Sequence, residues 1–296
     1  MPATLSVRSD PRRAVTLGSI PLLSLVLLVG CGDATPDGPR GPASEPAPPA
    51  RAGDASSDAV TVLAGIFEAH DGQGTLLVRR LSDGREWVHD PDRAERPYVP
   101  ASTFKIANAA IALETEVVSS PDEVFPWDGV ERQFAGWNQD HTLSTAMTAS
   151  AVPVYQEVAR RIGNERMSAW LERFDYGNGS TGGGIDQFWL TGQLATSARD
   201  QVDFLERWYR GRLPLSPSTV EGVTGMLRQD GDTACQLFGK TGWAFEAELG
   251  WWVGWTVCPN DTFIFALNLD IRDPSVDPAN RVRIGRGGLE ALGALY

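Results

Sequence analysis

Hydrophobic positions fall into distinct zones along the chain. Residues 1 to 31 carry arginines at 8, 12 and 13 and then the apolar run AVTLGSIPLLSLVLLVG, which stops at Cys31. Gly18 and Pro21 interrupt this run, which suits the apolar part of an export signal better than a stable spanning helix. Residues 32 to 58, GDATPDGPRGPASEPAPPARAGDASSD, hold no aromatic or large aliphatic side chain. Such a segment cannot bury enough apolar surface to order itself and reads as a tether.

From Ala59 onward the periods change. Residues 60 to 68 and 74 to 80 read as strands joined by the turn HDGQG, and EWVH at 86 to 89 adds a third. Between Pro100 and about Gln229 the spacing is helical, in TFKIANAAIALE, PVYQEVARRIG, ERMSAWLERF, ARDQVDFLERWYRG and PSTVEGVTGMLRQ. Three strands rich in aromatic and branched residues follow, ACQLFGKTGWA, LGWWVGWTV and DTFIFALNLDI, and residues 281 to 295 read as a closing helix. The expected fold is therefore α+β: an antiparallel sheet built from both ends of the chain (about 59–99 and 234–296), with a helical subdomain (about 100–233) inserted between them. The cleft between two such parts is a common place for a small ligand.

Composition supports a globular domain: 296 residues, 42% hydrophobic, with a net charge of −12. Residues 1 to 30 contribute +2 (Arg8, Arg12 and Arg13 against Asp10), so the chain without them carries −12 − 2 = −14. That charge disfavours nucleic acid and anionic membrane surfaces as partners. Of 26 basic residues only Lys105 and Lys240 are lysines. Lysine differs from arginine in that burial can neutralise its amine, which can then act as a base or be modified. His70, His89 and His141 are scattered and no C-x-x-C spacing occurs, so no metal site is expected.

Both lysines sit in motifs that carry chemistry. Ser102 and Lys105, in VPASTFKIANAAIALE, are three apart, and in a helix starting near Ser102 they share one face. A serine hydroxyl needs a base, yet an ordinary lysine has a pKa of about 10.4. Burial of Ile106, Ala109, Ala110 and Leu113 on this helix would desolvate the amine and lower that value. Lys240 lies in GKTGW on an expected strand. If strands 235–243 and 250–258 form a hairpin centred between Glu246 and Ala247, Cys235 faces Cys258; a disulfide and two separate thiols are both open outcomes.

These motifs come with others in a fixed order: PASTFKI (100–106), WNQDHTL (137–143), SAVPVYQEVARRIG (150–163), FDYGN (174–178), GGIDQFWL (183–190), GKTGW (239–243) and GWWVGW (250–255). From about residue 60 to the end the chain resembles class D serine β-lactamases, the oxacillinase group of the penicillin-recognising serine enzymes. The resemblance implies that Ser102 is the acylated nucleophile and that Lys105, among Phe104, Val152 and Trp189, reacts with carbon dioxide to become an N-carboxylated base. It makes Ser150 a proton-relay serine and has Val152 keep the base pocket dry where related enzymes carry a polar residue. Trp189 would hold the carbamate with its indole N–H, a donor only. Lys240 and Thr241 would meet the substrate carboxylate and Ser150, and the N–H groups of Ser102 and Trp243, beside Gly242, would form the oxyanion hole. The second carboxylate anchor is Arg281, with Arg283 as an alternative, because the segment before them varies in length. Tyr176 and Asn178 match a tyrosine-glycine-asparagine motif that supports the site.

The resemblance implies hydrolysis of β-lactams, with no metal and with carbon dioxide or bicarbonate as the one accessory molecule. Two rivals use the same serine and lysine: a β-lactam sensor that acylates without turnover, and a D,D-peptidase. LVGC at 28 to 31 resembles a lipobox, which implies cleavage before Cys31, lipidation of its sulfur and a periplasmic, membrane-tethered protein; plain secretion is the alternative. Substrate spectrum and oligomeric state have no signature in the letters.

Overall fold

The computed structural model of the protein describes residues 54–229, 231, 234–275 and 277–296. The expected signal segment, Cys31 and the tether up to residue 53 lie outside the described residues. In chain order the elements begin α1 (Asp54–Ala69), β1 (Gly74–Arg80), β2 (Glu86–His89), α2 (Pro91–Ala94), a 3-10 turn at Ala101–Phe104 and α3 (Lys105–Glu114). The middle holds β3 (Val124–Phe125), a 3-10 turn at Ala135–Trp137, β4 (His141–Thr142), α4 (Leu143–Ala149), α5 (Val152–Ile162), α6 (Asn164–Phe174), α7 (Ala198–Tyr209) and α8 (Pro217–Leu227). The chain ends with β5 (Arg228–Gln229), β6 (Gln236–Ala244), β7 (Leu249–Val257), β8 (Thr262–Asp270) and α9 (Asp277–Ala291).

Six strands form one sheet in the order β2-β1-β8-β7-β6-β5, every neighbouring pair antiparallel. Strands from both ends of the chain meet where β1 pairs with β8, as the expected α+β fold requires. Side chains alternate between two cores, one on each face. Leu76, Val78, Trp252, Phe265 and Leu267 point to one, beneath Leu63 and Phe67 of α1 and Ile284 and Leu289 of α9. Leu77, Trp251, Val253, Ile264 and Ala266 point to the other, against α3, α5 and α7. Being covered on both faces, β7 and β8 are buried almost end to end, which explains their continuous apolar sequence.

Residues 60 to 68 are helical, which corrects the expected strand. Leu63 and Phe67, four apart, are buried and α1 packs against α9, while Val60 and Val62 face solvent. The β-branched run VTV favours a strand locally, but the i, i+4 pair finds a helical partner and tertiary packing decides. The same helix begins at Asp54, so it takes in the last five residues, 54 to 58, of the expected tether. HDGQG closes α1 instead of joining two strands: the Gly72 N–H donates to Phe67 O at 2.8 Å. The closing helix forms over Asp277–Ala291, slightly ahead of its expected span. Gly285 and Gly288 let it lie close on the sheet, since an added Cβ would meet Trp252 Cε3 at 2.3 Å and Leu76 Cδ2 at 2.4 Å.

The β6–β7 register pairs Gln236 with Val257, which sets Cys235 opposite Cys258, and the two are joined as a disulfide. Of the two outcomes left open by the sequence, the structure has the cross-strand bond.

Candidate active site

Ser102 is positioned by a turn tighter than expected. The α-helix does not start at Ser102; residues Ala101–Phe104 form the 3-10 turn and α3 begins at Lys105. Three residues per turn stack side chains i and i+3 in line. Lys105 Nζ accordingly donates to Ser102 Oγ at 2.7 Å. Ala101, just before the serine, has φ 49°, a left-handed conformation that destabilises an alanine by about 1–2 kcal/mol. Gly242 on β6 comes close to this turn: an added Cβ there would lie 3.0 Å from Pro100 O and 3.2 Å from Thr103 Cγ2.

Lys105 is 0% exposed. Burial, and secondarily the charge of Lys240, push its pKa well below the usual lysine value, towards the neutral amine. Phe104 builds part of the surrounding wall, with its ring 5.5 Å from Trp189, 5.0 Å from Phe188 and 5.7 Å from Tyr176. Tyr155, which sequence reasoning did not single out, places its ring 5.3 Å from Lys105 Nζ. Trp189 is fully buried and its indole N–H has no hydrogen-bond partner. An unmatched donor beside the residues that enclose the Lys105 amine suits an anionic acceptor, which is the donor chemistry a carbamate on Lys105 requires.

The second lysine forms the opposite wall. Ser150 ends α4 at φ 53°, and its Oγ accepts from Lys240 Nζ at 3.0 Å; the same amine donates to Thr241 O at 3.0 Å. Lys240 is 5% exposed, and burial together with the charge of Arg281 lowers its pKa to about 7. Burial also lowers Arg281 to about 10. Arg281 Nη1 donates to Gly242 O at 2.6 Å, whereas Arg283 turns to Asn280 Oδ1, 3.4 Å away on its own helix. Of the two, Arg281 lines the cavity beside Ser102 and Arg283 does not.

A cavity of about 370 Å³ is lined by Ser102, Ser150, Val152, Thr241, Trp243 and Arg281, among others. Gly242 also lines it, whereas Phe104, Lys105, Trp189 and Lys240 are not on its surface; the two lysines reach it through their bonds to Ser102 and Ser150. Besides Trp243, three aromatic members were given no role by sequence reasoning: Phe134 and Trp137, the latter quoted only as the first residue of WNQDHTL, from the segment before β4, and Phe245, after β6. Phe245 is 51% exposed, stacks with Phe134 at 5.9 Å and touches Trp243 at 4.4 Å. Trp137 Nε1 donates to Ala149 O, and His141 Nε2 donates to Gly136 O at 2.9 Å, which holds this turn in place. Aromatic residues in otherwise polar loops were the available signal. A larger hollow of about 440 Å³ beside Trp127, Arg132 and Arg160 shares only Trp137 with the site and holds none of the expected residues.

Tyr176 and Asn178 lie outside the cavity. Tyr176 is buried behind Phe104, while Asn178 Nδ2 donates to Gln193 O and its Oδ1 accepts from the N–H groups of Ser180 and Ala195.

Comparison with known proteins gives this arrangement its class. A family described as the penicillin binding protein transpeptidase domain matches residues 63–282. The chain is 40% identical over 207 residues to Beta-lactamase OXA-48 of Klebsiella pneumoniae, covering 69% of this chain and 78% of that protein. It is 40% identical over 220 residues to Beta-lactamase OXA-10 of Pseudomonas aeruginosa, covering 73% and 83% respectively. Among solved structures, the class D β-lactamase YbXI from Nostoc superposes with a TM-score of 0.76 at 38% identity, covering 78% of this chain and 98% of that one. The protein therefore belongs to the penicillin-binding transpeptidase family and, within it, to the class D β-lactamases.

Proposed function

We propose that the protein hydrolyses β-lactam antibiotics through an ester on Ser102, and thereby confers resistance to them. The observation that carries this reading is the 2.7 Å contact between Ser102 Oγ and a buried Lys105 amine whose pKa burial holds well below the usual lysine value. Ser102 Oγ attacks the carbonyl carbon of the strained ring as its proton passes to the base carried by Lys105. N–H groups of Ser102 and Trp243 receive the developing oxyanion. The C–N bond of the ring then breaks, and Ser150, bonded to Lys240, relays a proton to the departing nitrogen. Thr241 and Arg281 on the cavity wall, with Lys240 bonded to Thr241 O, bind the substrate carboxylate.

A carbamate formed by carbon dioxide on Lys105 would supply a carboxylate-type base for the Ser102 proton and for that of the deacylating water. Trp189 would hold it through the unmatched indole N–H. Val152, at the first position of α5, keeps water scarce around that group. Activity lost on bicarbonate depletion at mildly acid pH should return when bicarbonate is added; indifference to bicarbonate counts against the modification.

With a chromogenic cephalosporin, the reading predicts sustained turnover far beyond one equivalent. A single stoichiometric burst with no further product would contradict it and favour a sensor. Export to the periplasm and anchoring through a lipidated Cys31 are part of the same proposal, supported by the apolar leader and LVGC. Cys31→Ala should release the protein from membranes, and unchanged membrane association would remove the anchor.

A further inference from the structure

Along α7 the buried positions include Ala198, Gln201, Val202, Leu205 and Trp208, the spacing of a core-facing stripe, and Gln201 is its polar member. An apolar side chain of that length would fill the same space without burying an amide, so the amide calls for a physical reason. Gln201 is 1% exposed, and its Nε2 donates to Thr103 Oγ1 at 3.0 Å and to the Tyr176 hydroxyl at 3.2 Å. Thr103 in turn donates a hydrogen bond from its hydroxyl to Pro100 O at 2.8 Å, a carbonyl that also accepts from the Thr103 N–H at 3.2 Å. Ser102 lies inside this closed loop of bonds, directly after the left-handed Ala101. Gly242 abuts the same carbonyl from β6. The turn is strained at one residue, and such a conformation persists only where its surroundings over-determine it.

We propose that Gln201 is a positioning residue for acylation: through Thr103 it locks the Pro100–Thr103 turn, and so fixes the Ser102 hydroxyl at the height from which it meets both Lys105 Nζ and a bound carbonyl. The proposal rests on the reading that Ser102 is acylated. Gln201 touches neither substrate nor the reacting atoms; it acts through the backbone that carries them. Its energetic partner is Thr103, so the two should behave as one unit under substitution.

Gln201→Met keeps the length and removes both donors. Stopped-flow single-turnover kinetics with a chromogenic cephalosporin separates acylation from deacylation, and a thermal melt reports folding. The expected result is acylation slowed by about 10- to 100-fold, with deacylation of the ester, once formed, changed much less. Thr103→Val should reproduce the loss, and the double variant should be no slower than the worse single one. Should Gln201→Met fail to fold, Thr103→Val severs the same link from the turn side and carries the same expectation. Wild-type acylation rates in a folded Gln201→Met, equal slowing of both steps, or single losses that multiply in the double variant would each overturn the positioning role. A wild-type protein that forms no ester would overturn the functional reading, and this role with it; an acylating wild type beside an equally fast variant overturns the positioning role alone.

Discussion

On one face of the sheet, α1 and α9 close over Leu76, Trp252, Phe265 and Leu267, and two glycines bring the helix into direct contact with the strands. On the other face, burial encloses Lys105 and Lys240 beside Ile106 and Trp251, with no carboxylate among the described residues offsetting either amine. Two residues with left-handed φ, Ala101 and Ser150, also lie at this second site. Apolar packing on the first face stabilises the fold, whereas buried amines and strained turns on the second oppose it. The arrangement shows where a protein of ordinary stability can hold unfavourable groups: on a sheet whose far side is packed independently.

Substitutions on the two faces should therefore separate activity from stability. The largest effect belongs to the site face, where Ser102→Ala or Lys105→Met should lower turnover by about 10³-fold or more. Lys105→Met should also raise the melting temperature, because it replaces a desolvated amine by an apolar side chain of similar length. A melting temperature well below wild type would break the comparison. Next comes the opposite face: Leu76→Ala should destabilise by about 2–5 kcal/mol in denaturant unfolding, while turnover per folded molecule stays within about twofold. Removing the Cys235–Cys258 bond by replacing both with serine should destabilise by about 3 kcal/mol for a loop with sequence separation 23, again with activity kept once folded.

The smallest effect is in pH dependence. Lys240 has a folded pKa of about 7 against an ordinary 10.5, so the free site loses this cation as pH rises past about 7. KM for a carboxylate-bearing substrate should be lowest below that point and climb several-fold above it, and Lys240→Arg should flatten the climb. The same shift acts on stability: between about 7 and 10.5 the unfolded chain binds more protons than the native one. Lys240 should therefore make stability rise with pH across that window and contribute no slope below it.

Most of the fold was legible because β7 and β8 are apolar throughout and the middle helices keep a clear 3.6 period. Residues 60 to 68 misled because their β-branched letters are local, while the partner that makes Leu63 and Phe67 a helical pair is α9, more than two hundred residues away. In the site, Ser102, Lys105 and Lys240 stood out by motif and by the rarity of lysine. Tyr155 and Gln201 did not, since one reads as ordinary core and the other as an ordinary polar helix residue until their contacts are known. The strain at Ala101 had no signal either: alanine is not a residue whose presence announces a positive φ. Which of Arg281 and Arg283 lines the cavity depends on the phase of α9, which spacing alone left two residues wide.

The most direct test of the account is rapid-quench mass spectrometry of the protein mixed with a penicillin, followed by peptide mapping. The account predicts an adduct of the whole opened drug on the peptide that carries Ser102, formed within the first turnover and lost as product accumulates. Turnover with no adduct, an adduct on another residue, or a Ser102 adduct that never decays would contradict it.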